Sequence, residues 1–139
     1  MSNAMKEFDL RIVTPDGMHF DGKAISVTVT TVAGEIQILA NHADYVSALS
    51  CGRAVIKTAD STLLAAASGG VITVSGGAVE IVSITFEFAN DIDIKRAENA
   101  RERAQNLLLS SSTMTADGIA KAKAKLLRAN TRISVYEKR

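Results

Sequence analysis

The feature that most constrains this chain is a change of hydrophobic period near residue 90. Before Glu87-Phe88-Ala89-Asn90-Asp91 apolar residues recur at every second position; beyond Asp93 they recur every three or four. A sequence with period two and then 3.6 builds a sheet first and helices afterwards. Asp93 stands at a helix N-cap position, followed by Ile94-Lys95-Arg96-Ala97-Glu98-Asn99-Ala100-Arg101-Glu102-Arg103 with no Gly or Pro. Arg96 and Arg103 are seven residues apart, two helical turns, and so project from one face. Glu87 closes the last strand-like segment. Two readings of the stretch stay open from the residues alone: a domain junction with an N-cap and a solvated charged face, or a small anion or nucleotide site.

Within the first ninety residues, Phe8, Leu10 and Ile12 alternate with Asp9 and Arg11, as in a half-buried strand. Thr14-Pro15-Asp16-Gly17 reads as a turn. Asp21-Gly22 reads as a tight hairpin turn between Met18-His19-Phe20 and the run from Ile25 to Thr30. Further strands are expected at Glu35 to Leu39, Ala54 to Thr58, Thr62 to Ala67, Val71 to Ser75 and Ala78 to Phe86. Ala59-Asp60-Ser61, Gly69-Gly70 and Gly76-Gly77 separate them as hairpin turns. From Ala33 to Tyr45 a strand runs into a long loop, where His42 and Tyr45 stand as polar-tipped residues beside apolar ones, a weak signal of a contact surface against an ordinary loop. Many short strands at near-regular spacing predict an antiparallel sandwich or flattened barrel, since no helices stand between strands to support a parallel sheet.

The core of this 139-residue chain must rest on Val, Ile, Leu and Ala, because aromatic residues make up only 4% and Trp is absent. No apolar run approaches the roughly 20 residues that span a bilayer. Met1-Ser2-Asn3-Ala4 ahead of Met5 reads as a tag remnant, with the native start at Met5. The single cysteine, Cys51, allows no intramolecular disulfide, suits a reducing cytoplasm and is expected to be a buried small hydrophobe. The Gly pairs lack the Lys-Ser or Lys-Thr of a phosphate loop, and His19 and His42 lack partners at metal-ligand spacing. A binding protein, not an enzyme, is expected.

Beyond Asp93, Ala97, Ala100, Ala104 and Leu107, with Leu108 beside them, form one apolar stripe, and Ile119, Ala122, Leu126, Ala129, Ile133 and Tyr136 form another. Ser110 to Thr115 breaks the pattern, and Thr115 or Asp117 can cap the second helix. The expectation is an antiparallel two-helix hairpin. The net charge of +1 divides unevenly: residues 1–90 carry five basic and nine acidic side chains, residues 91–139 eleven and six. Lys121, Lys125, Arg128 and Arg132 fall at i, i+4, i+7 and i+11, a basic stripe that is either a solvated face or a seat for an anion. The fold class expected is therefore α+β: a tag remnant at 1–4, an antiparallel β-sandwich over 5–89 and a helical hairpin over 90–139.

The succession Val13-Thr14-Pro15-Asp16-Gly17, Asp21-Gly22, Gly34-Glu35-Ile36 with Ile38-Leu39, His42-Ala43 and Gly69-Gly70 resembles the epsilon subunit of the bacterial F-type ATP synthase, the delta subunit of mitochondria. The resemblance covers essentially the whole chain from Met5. It implies a non-catalytic rotor part of the central stalk that couples proton flow to ATP synthesis. The sandwich would contact the gamma subunit and the polar loops of the c-ring, with Glu35 and His42 as c-ring contacts. Here the sequence departs from the family pattern: Gln37 replaces a common Gly, and Asp44-Tyr45 a common Pro-Leu. The resemblance further implies a nucleotide site on the pattern Ile92-Asp93-Ile94-Lys95-Arg96-Ala97, with Glu87, Arg103, Arg128 and Arg132. It also implies regulatory ATP with no required cofactor, and a helical tail that meets the catalytic alpha/beta head when extended. The location would be peripheral, on the cytoplasmic side of the membrane and reaching it only through the complex; no nucleic-acid partner is expected. A stand-alone nucleotide sensor or a plain β-sandwich adaptor is the competing expectation.

Overall fold

A computed structural model describes residues 6–139; the tag remnant and the expected start at Met5 lie outside the described residues. The chain divides into two compact units, one running through Phe88 and the other from Ala89 to Arg139.

The first unit is a sandwich of ten strands: β1 (Phe8–Thr14), β2 (Gly17–Ala24), β3 (Ser26–Thr31), β4 (Gly34–Leu39), β5 (Tyr45–Ala48), β6 (Gly52–Lys57), β7 (Thr62–Ser68), β8 (Val71–Ser75), β9 (Ala78–Val82) and β10 (Thr85–Phe88). One sheet has the order β2-β1-β9-β8-β5, the other β10-β7-β6-β3-β4. Alternation places Leu10, Ile12, Val27, Ile38, Ile56, Ile72, Val74 and Ile81 in one core between them, each at most 2% exposed. Burying such a side chain contributes about 1.5–3 kcal/mol, which is how a core almost without aromatics holds.

Four details depart from the sequence expectations, and all concern which strands become neighbours. Asp21-Gly22 is not a turn: β2 pairs with β1 along its whole length, Arg11 opposite Asp21 and Leu10 opposite Gly22, and the turn is at Pro15-Asp16. The chain leaves for the second sheet only at Ile25, whose N–H donates to the Lys57 carbonyl at 2.7 Å. Residues 78–86 are not one strand, because Ser83-Ile84 carries the chain from β9 in one sheet to β10 in the other. The buried Ser83 hydroxyl sits between the Gly69 and Thr85 carbonyl oxygens, at 2.9 and 2.8 Å, and anchors that crossing. Gly69-Gly70 likewise joins β7 to β8 across the sheets and is no hairpin turn. The loop after Leu39 leads into a strand that was not expected: Tyr45–Ala48 forms an edge strand against β8.

All pairings are antiparallel save one: β1 runs parallel to β9, Leu10 opposite Val79 and Ile12 opposite Ile81. No crossover helix is needed, because the seven intervening strands, divided between the sheets, form the connection. Cys51 is half-buried just before β6, not fully buried as expected.

The second unit opens with a 3-10 turn, Ala89–Asp91, then α1 (Ile94–Leu109) and α2 (Ala116–Glu137). Asp93 caps α1 by accepting the Arg96 N–H at 3.1 Å, and Thr115 caps α2 by accepting that of Gly118 at 3.0 Å. Each cap satisfies one of the first-turn donors that a helix leaves open. The helices pack on each other through Ala97 and Ala104 of α1 and Ala122, Ala129 and Ile133 of α2, all buried. Ala100 is only half-buried, and Leu107, expected in the stripe, is 45% exposed; Leu108 is half-buried. Small residues seven apart on both helices allow close approach, and a leucine at 107 lies off that seam.

Candidate functional site

Seven of the eight residues expected around a nucleotide lie in the second unit; Glu87 lies in the first, on β10 opposite Ala66 of β7. Of the seven, Ile92 and Ala97 are buried, 5% and 2% exposed, so their side chains are packing groups and only their backbone atoms can face a ligand. The Asp93 carboxylate is committed in part to the α1 cap.

The arginines are arranged by the helix seam. Arg96 and Arg103 each precede a buried alanine of α1; Lys121, Arg128 and Arg132 each precede Ala122, Ala129 and Ile133 of α2. One position earlier is a rotation of about 100°. Two right-handed helices that face each other in opposite directions turn that rotation to the same side of their seam. The five cations therefore lie along a single flank of the hairpin, and Lys125 falls there too, a turn before Ala129. Arg128 and Arg132 are half-buried against the seam; the other four are exposed. Among the described residues Arg96, Arg103, Lys125 and Arg128 form no ion pair. Asp117 stands 3.2 Å from Lys121, one turn before it on α2. Unneutralised cations in a row repel one another, and an anion relieves that repulsion. Periodicity showed two basic faces; the handedness of antiparallel packing decides that they are one.

On the sandwich, Glu35 stands at the start of the edge strand β4, beside the β3–β4 turn, and His42 lies in the link from β4 to the edge strand β5. Glu35 is held in a bidentate pair by Arg53, with Nε and Nη2 at 2.8 and 3.0 Å from the carboxylate oxygens. That hydrogen-bonded guanidinium pulls the Glu35 carboxyl below its ordinary range. The half-buried His42 places Nδ1 at 2.7 Å from the Ala43 carbonyl and packs edge-on against Tyr45 at 5.7 Å. Asp44 fastens the link by accepting the Gly76 N–H at 3.0 Å. The departure Asp44-Tyr45 thus acts as a latch, with Asp44 tying the link to the β8–β9 turn and Tyr45 beginning β5.

Sequence reasoning missed one surface. Met18, Val13, Val82, Val71 and Ala48 are successive cross-strand partners on β2, β1, β9, β8 and β5, and so make one row over the outer face of their sheet. Met18, Val82 and Val71 are 50%, 47% and 41% exposed. Each was visible only as a strand residue on the polar side of an alternation. The register that aligns them is a property of the sheet.

The family model described as the ATP synthase delta/epsilon chain β-sandwich domain matches residues 7–89, and that of the delta/epsilon chain long α-helix domain matches residues 90–137. The chain is 35% identical over 136 residues to the ATP synthase epsilon chain of Levilactobacillus brevis, covering 97% of this chain and 98% of the relative. It is also 35% identical over 131 residues to that of Halalkalibacterium halodurans, covering 94% and 98%. Its fold resembles a chain in the Euglena gracilis mitochondrial ATP synthase, an assembly of OSCP, F1 and c-ring, with a TM-score of 0.78 at 20% identity over 94% of this chain and 81% of that one. A chain of the Tetrahymena thermophila mitochondrial ATP synthase central stalk and c-ring gives 0.59 at 17% identity over 96% of each. The chain belongs to the ATP synthase delta/epsilon family, whose members are non-catalytic subunits of that complex.

Proposed function

We propose that this protein is the central-stalk rotor subunit that links gamma to the c-ring, and that its helical hairpin makes the complex responsive to ATP. The observation that carries the rotor reading is the family match across both units in succession, from residue 7 to residue 137. The apolar row from Met18 to Ala48 is the surface suited to gamma, because a permanent partner covers exposed valines across five strands. Glu35 on β4 and His42 in the β4–β5 link offer polar groups to the polar loops of the c-ring. The protein would then sit on the cytoplasmic side of the membrane through those partners; no helix among its described residues is long and apolar enough to cross.

The ATP-responsive part rests on the basic flank. Arginine forks grip phosphate oxygens bidentately, and Asp93 can accept from adenine or ribose. ATP at millimolar affinity releases about 4 kcal/mol. Four buried alanine methyls contribute about 3 kcal/mol at about 0.8 each, so the ligand and the seam are energies of one size. With ATP bound the hairpin stays folded and rotation is free; when ATP falls it extends, and its basic second helix meets acidic surface on the catalytic head.

Two measurements test this. The chain should be captured by purified gamma subunit, whereas an independent sensor or adaptor would pass unretained. Calorimetric titration should show ATP binding that weakens about tenfold or more in Arg96→Ala and in Arg103→Ala, with the sandwich intact. Unchanged affinity in both variants refutes the site.

A further inference from the structure

We infer that Arg11, standing between Glu80 and Asp21 on the outer face of the first sheet, decides which partner the apolar row accepts and in which direction. It takes an acidic side chain of the gamma subunit, and Glu80 and Asp21 take basic ones on either side; this rests on the gamma reading above. Beside the row from Met18 to Ala48 runs a second one, two residues along each strand and three on β2, across its bulge. Val46, Thr73, Glu80, Arg11 and Asp21 are successive cross-strand partners on β5, β8, β9, β1 and β2, and so share that outer face. The three charged side chains are exposed, Thr73 is half-buried and Val46 is 68% exposed. Charge therefore lies over β9, β1 and β2 only, and the β8–β5 end of the row is neutral.

The three charges alternate in sign across the sheet, yet among the described residues none of them forms an ion pair. A neighbouring cross-strand pair on the same hairpin does: Lys23 Nζ lies 2.6 Å from the carboxylate of Asp9, its partner on β1. Arg11 has an acid on each side and closes on neither, so its five N–H donors are open to a ligand. A carboxylate arriving from a partner meets an unoccupied guanidinium fork, which grips it bidentately. The apolar row alone offers area without direction and would accept an apolar partner laid either way along it. A negative, positive, negative sequence beside one end of the row makes a reversed or like-charged partner pay in lost complementarity. The partner segment thus carries an apolar stripe about 19 Å long, the span of five strands about 4.8 Å apart, with an acid between two bases beside one end of it.

The test is surface plasmon resonance of the full chain over immobilised gamma subunit at low and at raised salt, beside thermal unfolding of each variant. Arg11→Ala should weaken binding about fivefold and Arg11→Glu about fiftyfold or more, mostly through slower association; Arg11→Lys, which keeps the charge but not the fork, should lie between parent and alanine variant. Added salt should slow association of the parent more steeply than that of Arg11→Ala. The variants should melt with the parent, because Arg11 is exposed and has no ion pair to lose among the described residues. Val82→Asp and Met18→Asp, which place a charge in the apolar row, test the gamma reading itself. If they abolish binding while Arg11→Glu binds as the parent does, the role of Arg11 is refuted and the gamma face stands. If Arg11→Glu and both row variants bind as the parent does, gamma docks elsewhere and both readings are overturned, as they are if the parent does not bind gamma. Sedimentation of the chain alone as a dimer that Arg11→Glu dissolves assigns the face to a second copy and overturns the inference.

Discussion

Replacing Ala104 by leucine separates the stability of the hairpin from that of the sandwich. Ala104 is 1% exposed, and the other buried residues of the two helices are Ala97 on α1 and Ala122, Ala129, Ile133 and Val135 on α2. Three added carbons must push the helices apart or force a strained rotamer, at about 1–3 kcal/mol. The four seam methyls contribute about 3 kcal/mol in total, so the change removes a third to all of that contribution. Helix propensity does not confuse the result, since Ala and Leu are both good helix formers. The assay is amide hydrogen exchange followed by mass spectrometry, with Ala124→Leu on the exposed side of α2 as control. Peptides from α1 and α2 should exchange about 5- to 160-fold faster in Ala104→Leu. The strands should keep their protection, because the core cluster that holds them contains no residue beyond Phe86. Unchanged protection of both helices, or equal loss in the control, would refute a hairpin held by close alanine packing.

Two further outcomes follow from the sandwich. Gly70→Ala should cost at least about 3 kcal/mol in urea unfolding: φ is +109° and a Cβ would fall on the Val82 carbonyl oxygen, so strain of about 1–3 kcal/mol adds to a backbone clash. Gly76→Ala, at φ +57° with open space around it, should cost only about 1 kcal/mol. For Arg53→Met the expected loss is below about 1 kcal/mol, because the pair with Glu35 is exposed. The depressed Glu35 carboxyl fixes the pH dependence: the pair's stabilisation is complete above the ordinary carboxylate value and disappears as pH falls through the lowered one. Urea midpoints of parent and variant should therefore differ at pH 7 and converge as pH falls through the lowered carboxyl value; a difference independent of pH contradicts the ion pair.

Much of the architecture was legible because it is local. An N-cap needs only Asp93 and the N–H groups three residues on, and a heptad of alanines needs only its own spacing. The alternation Phe8-Leu10-Ile12 tells which side chains are buried, whatever lies opposite. The same locality explains the misses. Asp21-Gly22 has the chemistry of a turn, but pairing with Arg11 and Leu10 across a longer hairpin outweighed it. Alternation through Ser83-Ile84 hid a crossing, since one strand leaving a sheet and another joining the opposite sheet both bury every second residue.

The candidate site divides along the same line. The sequence by itself determined the two basic stripes, the caps, the junction near Asp93 and a core of aliphatic side chains. Only the tertiary structure decided that the stripes share one flank. It also decided that β1 lies parallel to β9 and that five apolar residues from five strands align in a row. A residue's face is set by bonds within a turn or two of it. Its neighbours are set by which distant segment best buries the opposite face, and that choice belongs to the packed whole.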